Sequence, residues 1–161
     1  GAKHVVATTQ MQATDCRRAF PCWDEPDFKA VFSIALTVDA NMLAISNAPE
    51  ESSRILDGGR REIRFADTMP MSTYLVAFIV GPLEATEPVV VNGTPLRIVH
   101  QPGKAGLTSF GLEAAAAGLR FFEDFYGIPY PSQKIDLVGL PDFAAGAMEN
   151  LGCIKIGRAH V

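Results

Sequence analysis

"LTSFGLEAAAAGLRFFEDFYG", residues 107–127, carries a helical period in a chain that otherwise reads as strands. Phe110, Ala114, Ala117, Phe121 and Phe125 recur at three- and four-residue spacing in an alanine-rich background, the mark of a helix. Thr108 or Ser109 can cap its start, and Gly127 followed by Pro129 fits its stop. Upstream, "KAVFSIALTV" (Lys29 to Val38) alternates so that Ala30, Phe32, Ile34, Leu36 and Val38 share one face, as in a half-buried strand. "MLAISN" (Met42 to Asn47) reads as a short strand. "ILDGGRREIRFAD" reads as a polar hairpin turning at Asp57-Gly58-Gly59. "MSTYLVAFIVG" and "TPLRIVHQ" follow as strands, with Pro82 and Pro88 marking a connection between units. After the helix, "KIDLVGLPDF" reads as one more strand. The predicted fold class is therefore mainly β: an antiparallel N-terminal β domain over residues 1–88, then strand, helix and strand of a second, α+β unit over 89–155.

Bulk properties narrow the function classes. Of 161 residues, 48% are hydrophobic and 20% charged, a globular composition. A formal charge of −4 offers no basic patch, so nucleic acid is not an expected partner. Cys16, Cys22 and Cys153 form neither a C-x-x-C pair nor an even framework, which favours a reducing compartment over a disulfide scaffold. The run "YLVAFIV" (Tyr74 to Val80) is too short to span a bilayer and reads as a buried strand, so a membrane partner is not expected either. The start "GAKHVVATTQ" has no signal-peptide layout and no initiator methionine, so the expectation is that the true N-terminus lies outside this sequence.

For chemistry, His4, His100 and His160 are scattered, none lies in an H-E-x-x-H pattern, and no His/Cys cluster has zinc spacing, so no metal site is expected to be complete in this chain. There is no G-x-S-x-G elbow and no phosphate-binding loop. What remains is Glu149 in "DFAAGAMENLGC" (residues 142–153). It is either a solvated loop acid or a carboxylate beside a glycine-flanked strand edge, where it could hold an ammonium group. Asp15, Arg17, Arg18, Asp24 and Glu25 read as a charge network beside a strand start, with Phe20 and Trp23 as core.

"GAMEN" (Gly146 to Asn150) resembles the exopeptidase signature of the M1 zinc aminopeptidases, the aminopeptidase N family. "TTQMQATDCRRAFPCWDEPDFKAVF" (Thr8 to Phe32) and "MPMSTYLVAFIVGPLE" are similar to that family's N-terminal domain, and the likeness runs from about Ala7 to Cys153. "PDFAAGAMENLGC" looks most like the bacterial, actinobacterial-type branch. The resemblance implies that the second unit opens a thermolysin-like catalytic domain and that Glu149 binds a substrate's α-amino group. It implies that Gly146 and Ala147, with Met148 and Asn150 around Glu149, pair with the peptide in β fashion, and that Gln10 shapes the amine pocket. Gln12 falls where many members carry a second acid. The partners implied are peptide substrates with a free N-terminus.

The same resemblance implies a zinc cofactor in the full-length parent, held by the histidines of H-E-x-x-H and a further glutamate. That motif is absent here, so the expectation is a fragment holding part of a substrate pocket, binding no zinc and inactive by itself. The alternative is a non-catalytic M1-like β-rich interaction module. Cysteine usage and the branch likeness lean cytoplasmic, with the cell surface as the other possibility. Lastly, Ile156 to Val161 can be read back as ATC GGA AGA GCA CAC GTC, which coincides with a widely used sequencing adapter. Residues 156–161, with Lys155, are therefore expected to be a non-native, adapter-derived tail.

Overall fold

A computed structural model describes residues 5–157. The chain forms two compact units, residues 1–82 and 83–161. The division falls ahead of Pro88 because strand Glu84–Ala85 already pairs within the second unit.

The first unit holds β1 (Ala7–Thr8), β2 (Lys29–Ala30), β3 (Ala35–Asp39), β4 (Leu43–Ser46), β5 (Glu50–Leu56), β6 (Arg60–Phe65), β7 (Met71–Ser72) and β8 (Phe78–Gly81). All its pairings are antiparallel: β1-β8-β4, β3-β6-β5, and β2 with β7. The core joins the first two sheets. Val38, Ile63 and Phe65 from one meet Ala44 and Val80 from the other, with Ala48 between them. Each large aliphatic or aromatic side chain removed from water there contributes about 1.5–3 kcal/mol. The hairpin β5–β6 turns at Asp57 to Gly59, where Gly58 and Gly59 take φ of 73° and 72° that a side chain would oppose.

Two strand expectations are modified. Lys29 to Val38 stays extended but is not one strand. The Phe32 and Ile34 carbonyls accept the Thr68 and Phe65 N–H groups, while Thr68 Oγ1 takes the Phe32 N–H. Burial alternates through Phe32, Ile34, Leu36 and Val38, but Ala30 is exposed. Tyr74 to Val80 is not a continuous buried strand, since Thr73–Leu75 winds into a 3-10 turn before β8. The buried Asn47 amide replaces the missing ladder, donating to the Leu75 carbonyl (2.8 Å) and accepting the Ala77 N–H (3.0 Å).

The second unit comprises β9 (Glu84–Ala85), β10 (Val89–Val91), β11 (Thr94–His100), α1 (Ser109–Tyr126), β12 (Ile135–Gly139), β13 (Ala147–Met148) and β14 (Cys153–Ile156). Its sheet runs β10-β11-β12-β14-β13, with β9 also on β11. β11, β12 and β14 are parallel, and α1 makes the crossover that a parallel β11–β12 pair requires. The stretch expected as a bare connection thus contains two short strands. Asn92-Gly93, with φ of 48° and 89°, turns β10 into β11.

The helix bounds match their expectation, and Gly127 closes α1 at φ 64°. Its buried face does not follow Phe110, Phe121 and Phe125, which are exposed. Ala116 is buried and Leu112, Ala115 and Leu119 are half-buried; Gly111 allows the close approach, since a Cβ there would lie 3.1 Å from Ile98 Cδ1. Among the described residues the fold is thus mostly strands with one α-helix: an N-terminal β domain, then the mixed α/β start of a second domain. Of the tail expected over 156–161, Ile156 ends β14 and Gly157 follows, while 158–161 lie outside the described residues.

Candidate functional site

The second unit's sheet ends in β13, which brings Gly146 to Asn150 onto one edge. Ala147 pairs with Ile156 and Met148 with Lys155, and the Gly146 carbonyl accepts the Gly157 N–H at 2.9 Å. Strand alternation then sorts the side chains. Met148 and Asn150 are buried, whereas Gly146, Ala147 and Glu149 are exposed. Nothing lies within 4 Å of where a Cβ on Gly146 would stand, so this end of the edge is open to an approaching backbone. Across the pair, Gly157 is tightly enclosed: a Cβ there would meet the Ala145 carbonyl oxygen. Ile156, the register partner of Ala147, also lines a hollow of about 270 Å³ with His100, Leu140 and Pro141, at the carboxyl ends of β11, β12 and β14. In open sheets, ligands favour that end of parallel strands.

The turn between β13 and β14 is held by buried charge that the sequence reading missed. Gly152, at φ 71°, donates its N–H to Tyr130 Oη (3.0 Å). Its carbonyl accepts Lys134 Nζ (2.7 Å) and the Asp136 N–H (3.0 Å). Asp136 is 1% exposed and bonds Lys134 Nζ at 2.8 Å and Arg97 Nε at 2.6 Å. Tyr130 is placed in turn by Glu123, whose carboxylate accepts the Tyr130 N–H (2.7 Å) and the Asn92 amide (2.7 Å). Those two bonds hold the Glu123 carboxyl below the usual carboxylate range, and burial raises the Tyr130 phenol. The legible signal is Lys134, just ahead of β12, two residues from Asp136 on it; what the sequence does not display is the register that sets Arg97 opposite Asp136.

Lys155 is fully buried in β14, with Nζ 5.3 Å from the Phe143 ring centre. Burial lowers its pKa from 10.5 to about 8. The sign of the linkage follows. Below about pH 8 both folded and unfolded chains carry the charge, and the fold bears the full cost. Between about 8 and 10.5 the unfolded chain binds more protons, so stability rises with pH across that window. Lys155→Met is expected to raise stability at neutral pH by up to about 3 kcal/mol and to flatten that rise. Urea titrations of both proteins at about pH 7 and pH 10 check this; equal midpoint differences at the two pH values would refute it.

Gln10 and Gln12 belong to the first unit, where both are exposed on the segment between β1 and a 3-10 turn at Cys16–Arg18. The charge network expected there is present: Arg17 reaches Asp24 (3.4 Å) and Glu25 (3.9 Å), and Arg18 reaches Asp15 (3.6 Å). Phe20 stacks edge-on against Phe32, but Trp23 is 78% exposed and is not core. Among the described residues, the grouping able to offer three metal-type ligands is Cys16, Cys22 and Asp24 in this unit. No histidine takes part in it.

Comparison with known proteins agrees along most of the chain. The Peptidase M1 N-terminal domain model matches residues 1–75, and the Peptidase family M1 domain model matches residues 110–161. Aminopeptidase M1-A of Oryza sativa subsp. japonica is 44% identical over 154 residues, covering 96% of this chain and 17% of that protein. Aminopeptidase 2 of Candida albicans is 44% identical over 157 residues, with the same coverage. Endoplasmic reticulum aminopeptidase 1 of Homo sapiens is 43% identical over 152 residues, covering 94% of this chain and 16% of that protein. The chain spans about a sixth of the length of the curated relatives it matches.

Proposed function

The chain belongs to the M1 peptidase family, and from that premise we propose that the full-length protein is a zinc-dependent aminopeptidase that removes N-terminal residues from peptides. The observation that carries the reading is the placement of Glu149: exposed, and directly after the edge strand β13, whose Gly146 end is open. A peptide laid along β13 as an added strand presents its free amine beside this carboxylate. An ammonium–carboxylate hydrogen bond there contributes about 1.5–3 kcal/mol and fixes which bond faces the chemistry. Met148 and Asn150, both buried, anchor the segment.

The zinc ligands are not among these residues. The sequence has no H-E-x-x-H pair, and Cys16, Cys22 and Asp24 do not suit a catalytic zinc because Asp24 already accepts three hydrogen bonds. When bound in the full-length protein, the metal supplies an activated water for attack on the peptide carbonyl. The share of this stretch is to bind and orient the substrate, and by itself it hydrolyses nothing.

The test is hydrolysis of amino-acid anilides by the full-length protein with and without a zinc chelator. Activity that the chelator abolishes and added zinc restores is the expected result. A full-length protein with no activity on any free-amine substrate would instead favour a non-catalytic, β-rich interaction module.

A further inference from the structure

Cys16 and Cys22, unconnected in the sequence, are brought together by the fold. Cys16 opens a 3-10 turn, and its carbonyl accepts the N–H groups of Ala19 (2.9 Å) and Phe20 (3.1 Å). These bonds reverse the chain and return Cys22 to Cys16, so that the two sulfurs and an Asp24 carboxylate oxygen lie within 4.8 Å of one another. The surroundings of the two thiols differ: Cys16 is fully buried, and Cys22 is half-buried.

Two classes of ligand fit paired thiols: a soft metal ion and an oxidant. Asp24 decides between them. Its Oδ2 accepts the Arg17 N–H (3.1 Å) and Nε (3.4 Å), and its Oδ1 accepts Thr73 Oγ1 (2.5 Å). Burial opposes ionisation of Asp24, but the Thr73 hydroxyl and Arg17 outweigh it and hold the carboxyl below its usual range. The carboxylate is therefore engaged as a structural acceptor and would have to shed donors to ligate a metal. That leaves a dithiol. We propose that Cys16 and Cys22 form a reversible dithiol–disulfide pair, a modification site closed by a small-molecule disulfide.

The asymmetry of the pair sets the order of events. Cys22 is the sulfur that solvent reaches. Its thiolate attacks one sulfur of oxidised glutathione, the glutathione S–S bond breaks, and one glutathione thiolate leaves. Burial, together with neighbouring Cys22 and the Asp24 carboxylate, pushes the Cys16 thiol up to about 12, so Cys16 stays protonated during this step. Capping Cys22 removes its negative charge from beside Cys16. The Cys16 sulfur then gives up its proton and attacks Cys22 Sγ; the Cys22–glutathione bond breaks, and the second glutathione leaves as a thiol. Two cysteine thiols lose two electrons and two protons, and one glutathione disulfide becomes two thiols. Excess dithiol reductant reverses the exchange. Cys153 does not compete within its own unit, because it is fully buried in β14 and burial pushes its thiol up to about 11.

The test is peptide mapping of the native full-length protein after treatment with oxidised glutathione and alkylation of remaining thiols. Trypsin cuts after Arg17 and Arg18, between the two cysteines. The expected result is the peptide ending at Arg17 joined by a disulfide to residues 19–29, and separated again by dithiothreitol. Cys16→Ser should arrest the reaction at a stable Cys22–glutathione adduct, and Cys22→Ser should leave Cys16 an unmodified thiol. The proposal is overturned if the wild-type protein yields both cysteines alkylated, a persistent glutathione adduct on Cys22, or Cys22 joined to any cysteine other than Cys16.

Discussion

Replacing Glu149 with alanine in the full-length protein is expected to lower kcat/KM on amino-acid anilides by about a hundredfold to a thousandfold, a loss of about 3–4 kcal/mol. The size follows from what the substitution leaves behind. A substrate ammonium held against the edge of β13 has exchanged water for the carboxylate, and removing the carboxylate leaves that charge uncompensated. Glu149→Gln keeps an acceptor of similar shape but loses the charge, so it should fall between wild type and alanine. The side chain is exposed in this stretch, so neither change should disturb the fold, and urea midpoints should match the wild type. Steady-state kinetics on free-amine and N-acetylated substrates separates an amine anchor from a general defect. Losses confined to free-amine substrates support the assignment. An alanine variant within about threefold of wild type would return Glu149 to the status of a solvated loop acid.

How far the sequence announces such a site depends on how local its causes are. β4, the β5–β6 hairpin and α1 are legible because their signals lie within a few residues of the structure they make: alternation, Asp57-Gly58-Gly59 in the turn, and Gly127 at the helix end. The segment Thr73 to Ala77 is not legible, because the amide that satisfies its backbone comes from Asn47, far away in sequence. The outward aromatic face of α1 has a related cause. Apolar residues lie on both sides of this helix, so periodicity alone cannot choose between the Phe110–Phe121–Phe125 side and the Leu112–Ala116–Leu119 side. The choice falls to the small residues that let the helix approach Ile98. Trp23 departs from its type: an indole is usually buried, yet here Asp24 beside it is buried in its pairing with Arg17 and Trp23 is exposed. In the candidate site, the run of small residues around Glu149 was visible, whereas the support beneath it comes from three elements and emerges only with the register of β11 on β12.

That support carries the largest stability effect expected in this chain. Asp136 is 1% exposed and is the shared acceptor of Lys134, itself buried, and Arg97, which is partly exposed. Asp136→Ala leaves two cations facing one another across β11 and β12 with no anion between them. Removing one partner from a buried charge group costs about 3–5 kcal/mol, which for a unit of this size lowers the thermal midpoint by about 10 °C or more. The effect should reach the site as well. Lys134 then has no carboxylate to steer it toward the Gly152 carbonyl, and the turn carrying Asn150 and Gly152 loses one of its two side-chain clamps. Amide exchange at Gly152 and Cys153 should therefore quicken by more than global destabilisation alone explains. Asp136→Asn keeps part of the hydrogen bonding and should cost less. Pairing Asp136→Leu with Lys134→Met removes the buried Lys134–Asp136 pair and leaves only Arg97, whose partly exposed side chain can reach water, so much of the lost stability should return, because the penalty arises from the stranded buried charge and not from the lost bond. If Asp136→Ala unfolds within about 1 kcal/mol of wild type, this charge group is not what fixes the turn, and the positioning of β13 must rest on its pairing with β14 and on the Tyr130 bond to Gly152.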